Sequence, residues 1–364
     1  MKFGFTVPPV GPSGRSDTEN YATVIEDCRL GQELGYDSAW ALEHHFTPYF
    51  PTPDTLLFLS HLAAHCPGMG LGTCVIVLPW HHPLRIVEQI AMLNVLSSGP
   101  LYLGLGRGTA RYEFDRLGPD MTETRGRFKE SVEIIQLGLS GKSFAYEGEF
   151  YRFPETRVRP DPRDVNDIHF FGAIGSPPSA EIMADLGLSL CHTSNFPDRL
   201  TESIVRRWKE RQEETGRTID GSEGFPIHAN PAIVRDTDEE ARDLARKYYP
   251  KFAQVQIEHY ETNADYWKDI PSYEAFSKMF ANLSKLAHQG EDLEKYLNFQ
   301  LVGTAETVIR RIEELRDRLN VGHIICGHFS YEMTDEERRR SLRLFAERVI
   351  PHFREPAQAQ RLRA

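Results

Sequence analysis

The chain is short of basic charge: 42 Lys and Arg stand against 53 Asp and Glu, a formal net charge of −11 over 364 residues. Such a surface repels phosphate backbones and anionic lipid, which argues against nucleic acid and membrane partners. Any phosphate bound here must be gripped locally, against the overall field. Cysteine is also scarce. The five present, Cys28, Cys66, Cys74, Cys191 and Cys326, lie far apart and form no CxxC pair. An odd number of scattered thiols fits a reduced compartment, with thiols serving as small hydrophobes rather than as a disulfide framework. No uncharged apolar run reaches the roughly 18 residues that a membrane span needs. The start runs directly into a strand, so no secretory leader is expected and the protein is expected in the cytoplasm.

What the sequence has in quantity is alternation. Apolar β-type runs fall at 2–7, 38–42, 71–78, 101–106, 168–173, 188–193, 227–234 and 323–326. Helical patterns follow them at 21–34, 54–64, 83–96, 123–139, 179–186, 198–215, 238–248, 305–319 (capped by Thr304) and 334–353. Strand 71–78 is almost wholly apolar, as a strand buried on both faces should be. Eight β-then-α units without a linker predict a (β/α)8 TIM barrel. An open doubly wound sheet is the alternative, but normally uses fewer strands. Residues 144–153 alternate about a glycine and predict a hairpin. Residues 250–298 form a long polar and aromatic insertion between strands seven and eight. One domain over 1–356 is expected, with a frayed tail at 357–364.

In such a barrel the chemistry sits at the C-terminal strand ends. The second strand runs into Glu43-His44-His45. These residues fit metal ligation, acid/base work, or polar groups satisfied by backbone; function is favoured by their place at the barrel mouth. Metal is the weaker option, because adjacent residues on an extended segment point to opposite faces. His81-His82, flanked by prolines, fits a stiff loop shaping the pocket as well as it fits catalysis. Gly104-Leu-Gly106-Arg107-Gly108 ends the fourth strand; its glycines allow close backbone approach and Arg107 offers a planar fork for phosphate. Arg125 starts the next helix near the same rim, or is a surface salt-bridge partner. Ser176-Pro-Pro-Ser179 opens a helix after the fifth strand, where free N–H groups and hydroxyls make an anion site, with simple N-capping as the compatible alternative.

Glu43-His-His-Phe46, Leu71 to Pro79, His82-Pro-Leu-Arg85, Glu88 and Gly104 to Gly108, in that order, resemble the bacterial luciferase-like flavin-dependent monooxygenases. The stretches Leu301 to Thr304, Ile324 to Gly327 and Val349-Ile-Pro351 match too. The resemblance covers almost the whole chain and is nearest to the catalytic luciferase subunit. It implies a (β/α)8 barrel, dimeric with itself or with a paralogous subunit, that takes reduced FMN (FMNH2) from a separate flavin reductase. His44 would be the catalytic histidine, with Glu43 orienting it. Arg107, Arg125, Ser176 and Ser179 would hold the flavin phosphate, with further cofactor contacts from Gly106, Ile174 and Gly175. A non-proline cis peptide between Cys74 and Val75 would lie under the ring. His45, His82 and Ser194 would face the substrate, and the insertion would act as a lid. The implied reaction passes through a C4a-hydroperoxide and oxygenates a small organic molecule. Gly106 stands where luciferase has a reactive cysteine, and Gly175 and Ser194 replace a carboxylate and a tryptophan, so the substrate wall is remodelled. The rival readings are hydride transfer with the deazaflavin F420 and a non-catalytic flavin-binding subunit; a metal-dependent hydrolase comes last, and no metal site is expected.

Overall fold

Eight of the apolar runs curl into one closed parallel barrel. The computed structural model describes residues 1–354 apart from 196–197, 220–223, 265, 267–269, 271–272, 274–284 and 289. Its strands are β1 (Lys2–Thr6), β2 (Ser38–Ala41), β3 (Gly70–Val77), β4 (Leu101–Gly106), β5 (Phe144–Glu147) and β6 (Arg152–Thr156). The rest are β7 (Ile168–Ala173), β8 (Ser189–Thr193), β9 (Phe225–Ala229), β10 (Ala232–Val234), β11 (Leu301–Gly303) and β12 (Val321–Cys326). The helices are α1 (Asp17–Glu33), α2 (Thr55–His65), α3 (Pro83–Leu96), α4 (Arg111–Leu117), α5 (Thr124–Leu139) and α6 (Pro177–Asp185). They continue with α7 (Asp198–Thr215), α8 (Asp238–Tyr260), α9 (Glu291–Leu297), α10 (Ala305–Leu319), α11 (Asp335–Arg348) and α12 (Ile350–Phe353).

The barrel order is β1-β12-β9-β8-β7-β4-β3-β2, closed by parallel pairing of β1 with β12 in the register Phe3↔Ile324. That closure decides against an open doubly wound sheet. The outer helices pack by periodicity. On α10, Val308, Ile312, Leu315 and Leu319 recur at helical spacing and are buried, and the Thr304 hydroxyl accepts the Thr307 N–H, capping the first turn. Among the described residues no helix is long and apolar enough to cross a membrane.

Trp40 fills the barrel interior. Its indole N–H donates to Ser38 Oγ at 2.8 Å, and its ring stacks on Tyr102 at 5.9 Å between centroids. The neighbouring strands make room with glycine: a Cβ on Gly72 would lie 2.3 Å from Trp40 Cδ2. Gly72→Ala is therefore expected to destabilise the barrel by about 1–3 kcal/mol, as overpacking of a dense core does. Denaturant unfolding of the variant, with an unchanged midpoint as the contrary result, checks this.

The structure departs from the sequence pattern in three places. The expected strand 227–234 is two strands, because Pro231 has no N–H to give a ladder; β10 leaves the barrel and pairs in parallel with β11. The helix that the pattern opens over 238–248 continues through Pro250 to Tyr260, into the segment read as an insertion. An internal proline costs about 3 kcal/mol; here the downstream half buries Phe252, Ala253, Val255 and Ile257, each large side chain contributing about 1.5–3 kcal/mol. The short helix α4 had no periodic signal. The hairpin is present as β5 and β6, antiparallel with Tyr146 opposite Phe153. Much of the expected lid, and the tail at 357–364, lie outside the described residues.

Candidate active site

At the C-terminal ends of the barrel strands lies a cavity of about 920 Å³, near the upper end of the range for small-molecule and cofactor sites. β3 contributes its floor. The peptide between Cys74 and Val75 is cis, at the position the resemblance indicated. Val75 leans across to β4, where a Cβ on Gly106 would come within 2.4 Å of Val75 Cγ2. A side chain at 106 would thus collide with its neighbour Val75.

Beyond β4, Arg107 lines the cavity with its guanidinium 4.9 Å from the Tyr273 ring centre. Burial lowers the Arg107 pKa, and the positive charge of Arg125 adds to the effect. Two guanidiniums are held close enough to repel. Arg125 Nε is buried with no hydrogen-bond partner among the described residues. A dianionic phosphate placed between them would relieve both.

The hydroxyls of Ser176 and Ser179 stand 3.0 Å apart on the same cavity. Ser176 is the N-cap of α6, yet its side chain makes no capping bond; its hydroxyl pairs instead with that of Ser179, and the pair keeps further hydrogen-bonding capacity toward the cavity. The expectation of free N–H groups there is corrected. Pro177 and Pro178 have no N–H, and the N–H groups of Ser179 and Ala180 donate to Ser176 O at 3.0 and 3.3 Å. Side-chain hydroxyls and guanidiniums, rather than an array of backbone amides, are what this part of the cavity offers an anion. Ile174 and Gly175 line the adjoining wall.

His44 follows β2 and faces the cavity with its ring 4.6 Å from that of Tyr49. Its partner is not Glu43 but Glu113 on α4, whose Oε1 lies 3.3 Å from His44 Nδ1. The same oxygen accepts the His45 N–H at 2.6 Å. Burial opposes ionisation of Glu113, but the imidazoles of His44 and His259 outweigh it and bring its pKa down to about 2. His259, in the last turn of α8, is pushed down to about 4 by burial. Glu43 has a different task. Its Oε1 meets His81 Nε2 at 2.6 Å and His45 Nε2 at 3.2 Å, while Oε2 accepts the Val77 N–H at 2.8 Å. It ties the second and third strand ends together instead of orienting His44.

The residues expected to face substrate are scattered. His45 is buried against Trp80, with 5.2 Å between ring centroids, and is not among the described residues lining the cavity. His82 is exposed at the start of α3, its ring 5.7 Å from Tyr151, also off the cavity. Its neighbour His81 is held by Glu43 and is likewise not among the described residues lining the cavity. Ser194 does line the cavity, but its hydroxyl donates to Gln300 Oε1 at 2.6 Å. Sequence reasoning missed Glu113 and His259 altogether, along with His192 and His228, which line the cavity with Nε2 atoms unpartnered among the described residues. A histidine on a barrel strand was the available signal for the last two.

The sequence model of one family, described as luciferase-like monooxygenase, matches residues 1–320. The chain belongs to that family. It is similar to the alkanal monooxygenase alpha chain of Photorhabdus luminescens, 24% identical over 370 residues and 98% of both proteins. It is likewise similar to the oxygenase component of the flavin-dependent trigonelline monooxygenase of Acinetobacter baylyi, 24% identical over 353 residues, 92% of this chain and 90% of that one. A match to an uncharacterised Sinorhizobium fredii protein is higher in identity, 37% over 134 residues, but spans only 38% of that protein. Among solved structures, the monooxygenase RslO1 of Streptomyces bottropensis superimposes with a TM-score of 0.80 at 25% identity, over 97% of this chain and 100% of that one. An F420-dependent secondary alcohol dehydrogenase shares the fold, with a TM-score of 0.73 at 14% identity over 98% and 99% of the two chains.

Proposed function

We propose that this luciferase-like chain is the oxygenase component of a two-component system. It would take FMNH2 from a separate flavin reductase and transfer one atom of O2 to a small organic substrate. The observation that carries the reading is that Arg107 and the Ser176–Ser179 hydroxyl pair line one largely apolar cavity, with the charge of Arg125 felt at Arg107. That set suits a phosphate joined to a flat apolar ring, and the floor at Cys74 and Val75 suits the ring. Reduced FMN supplies the activation of O2. The chain's own contribution is to hold the phosphate, to exclude water with the aromatic wall of Tyr49, Phe252, Tyr260 and Tyr296, and to move a proton at His44. The insertion at 250–298 would act as the lid, since its described residues provide much of that wall.

Anaerobic titration with reduced FMN, then mixing with isotopically labelled O2 and candidate substrates, tests the proposal. Tight binding and labelled product are expected; consumption of substrate without label would defeat it. Arg107→Ala should weaken FMN binding by roughly 2–5 kcal/mol, about 30-fold or more, as loss of one partner of a desolvated charge pair does. An unchanged Kd would remove the phosphate assignment. F420-dependent hydride transfer is the second reading, favoured by the fold shared with the alcohol dehydrogenase; tighter binding of F420 than of FMN would select it. We further place the protein in the cytoplasm as a dimer. Leu57 on α2 and Met92, Val95 and Leu96 on the adjacent α3 are 70%, 48%, 47% and 58% exposed, an apolar surface suited to a second copy or a paralogous subunit.

A further inference from the structure

We propose that His44, Glu113 and His259 form a site for a single divalent transition-metal ion of the zinc class. Three separate elements supply the ligands: the segment after β2, helix α4 and the end of α8. One ligand atom from each lies within 4.8 Å of the other two. Glu113 Oε1 is 3.3 Å from His44 Nδ1 and 3.6 Å from His259 Nε2. The second separation is too long for a hydrogen bond and the first is at its outer edge. Both are close to the roughly 3.3 Å edge of a tetrahedron whose metal–ligand bonds are about 2.0–2.1 Å.

The surroundings fit the same occupant. Glu113 Oε2 and His259 Nε2 are buried with no hydrogen-bond partner among the described residues, a costly state for groups so enclosed. The Glu113 and His259 side chains are 1% and 0% exposed, so the carboxylate charge must be balanced in place. Ligating imidazoles and carboxylates usually carry outer hydrogen bonds that fix their orientation. Both are present: His259 Nδ1 meets Thr47 Oγ1 at 2.7 Å, and Glu113 Oε1 accepts the His45 N–H. His44 and Glu113 face the cavity, which leaves a fourth position for water or a small ligand. Two histidines and one carboxylate with an open position are a set that zinc accepts.

The ion would draw His44 Nδ1 and Glu113 onto itself. This consequence rests on the flavin reading, in which His44 moves a proton: zinc would then inhibit oxygenation. Metal binding itself does not rest on it. The test is titration of the chelator-treated protein with Co2+, followed by its visible bands, and with Zn2+ against a chromophoric chelator. A single ion per chain is expected, lost in Glu113→Gln and His259→Gln and weakened about 10-fold in Thr47→Val, the change typical of an outer contact. FMN binding of each variant reports whether it has folded. The exposed His61–His65 pair on α2, with Nε2 atoms 3.2 Å apart, is the competing surface site and is removed by His61→Ala. Uptake that survives Glu113→Gln and His259→Gln but vanishes in His61→Ala overturns the proposal, as does no uptake by the wild-type chain. Either failure leaves the FMN titration, and the flavin reading, standing on its own result.

Discussion

Replacing His44 by Ala should slow oxygenation by roughly 100- to 10,000-fold, the contribution typical of a positioned acid/base group, while FMN affinity changes little. The two effects separate because the proposed phosphate grip, at Arg107 and the Ser176–Ser179 pair, is supplied by other strand ends. With Nδ1 turned to Glu113, Nε2 is the ring nitrogen left to meet a reacting group. A buried carboxylate that stays ionised beside it holds the ring orientation and stabilises the imidazolium formed in proton transfer. Glu113→Gln keeps the size but not the charge, so turnover should fall while KM for reduced FMN stays within a few-fold. Glu113 acts through His44, so the double variant should be no slower than His44→Ala alone, the non-additivity expected of groups that work as a unit. The measurement is product formation at saturating reduced FMN and O2. Wild-type turnover in His44→Ala would remove the assignment, and additive losses in the double variant would give Glu113 an independent role.

The second large effect is acid lability. Burial pushes His192 and His323 down to about 3, and His228, His259 and His328 down to about 4. In the unfolded chain each returns to about 6.5. Below that value the unfolded chain binds protons that the folded chain refuses, so stability falls as pH falls. The contribution of these groups is therefore whole above about pH 6.5 and is lost between there and about pH 3–4. Each costs about 1.4 kcal/mol per pH unit below about 6.5, so five together remove on the order of 10 kcal/mol by about pH 5. That is comparable with the whole stability of a typical fold, about 5–15 kcal/mol. Cooperative unfolding between about pH 4 and 6 is expected, followed by tryptophan fluorescence or calorimetry. His323→Gln, which keeps a polar partner for Ser38, should flatten the dependence. A Tm that does not change between about pH 7 and 5 would mean that these histidines are not held neutral by burial.

Local sequence carried a good deal of this. The strand-helix alternation announced eight units, and closure through β1 and β12 followed. Gly106-Arg107 and the Ser176–Ser179 pair were legible because a single strand end or helix start contains each of them, whereas the cis peptide at Cys74 came from the family resemblance alone. Where a residue's task depended on its neighbour in space, the reading went astray. Glu43 looked like the partner of His44 by adjacency, but consecutive side chains on an extended segment diverge, and Glu43 turned to His81 and the Val77 N–H. His45 and His82 followed their own backbones away from the cavity for the same reason. Residues from Pro250 on read as an insertion of weak periodicity because the pattern is local, while the burial that carries α8 through them comes from distant partners of Phe252 such as Tyr49 and Phe329.

By itself, then, the amino-acid order determined the barrel and the strand-end residues proposed to grip a phosphate, since each rests on periodicity or on residues a few positions apart. Only the tertiary structure decided which groups surround His44. Glu113 is 69 residues away in sequence, on a seven-residue helix without periodicity, and His259 lies on a helix that continues beyond a proline. No spacing rule links residues on three elements that meet only when the barrel closes; their chemistry arises from burial and mutual electrostatics, which exist only in the folded chain.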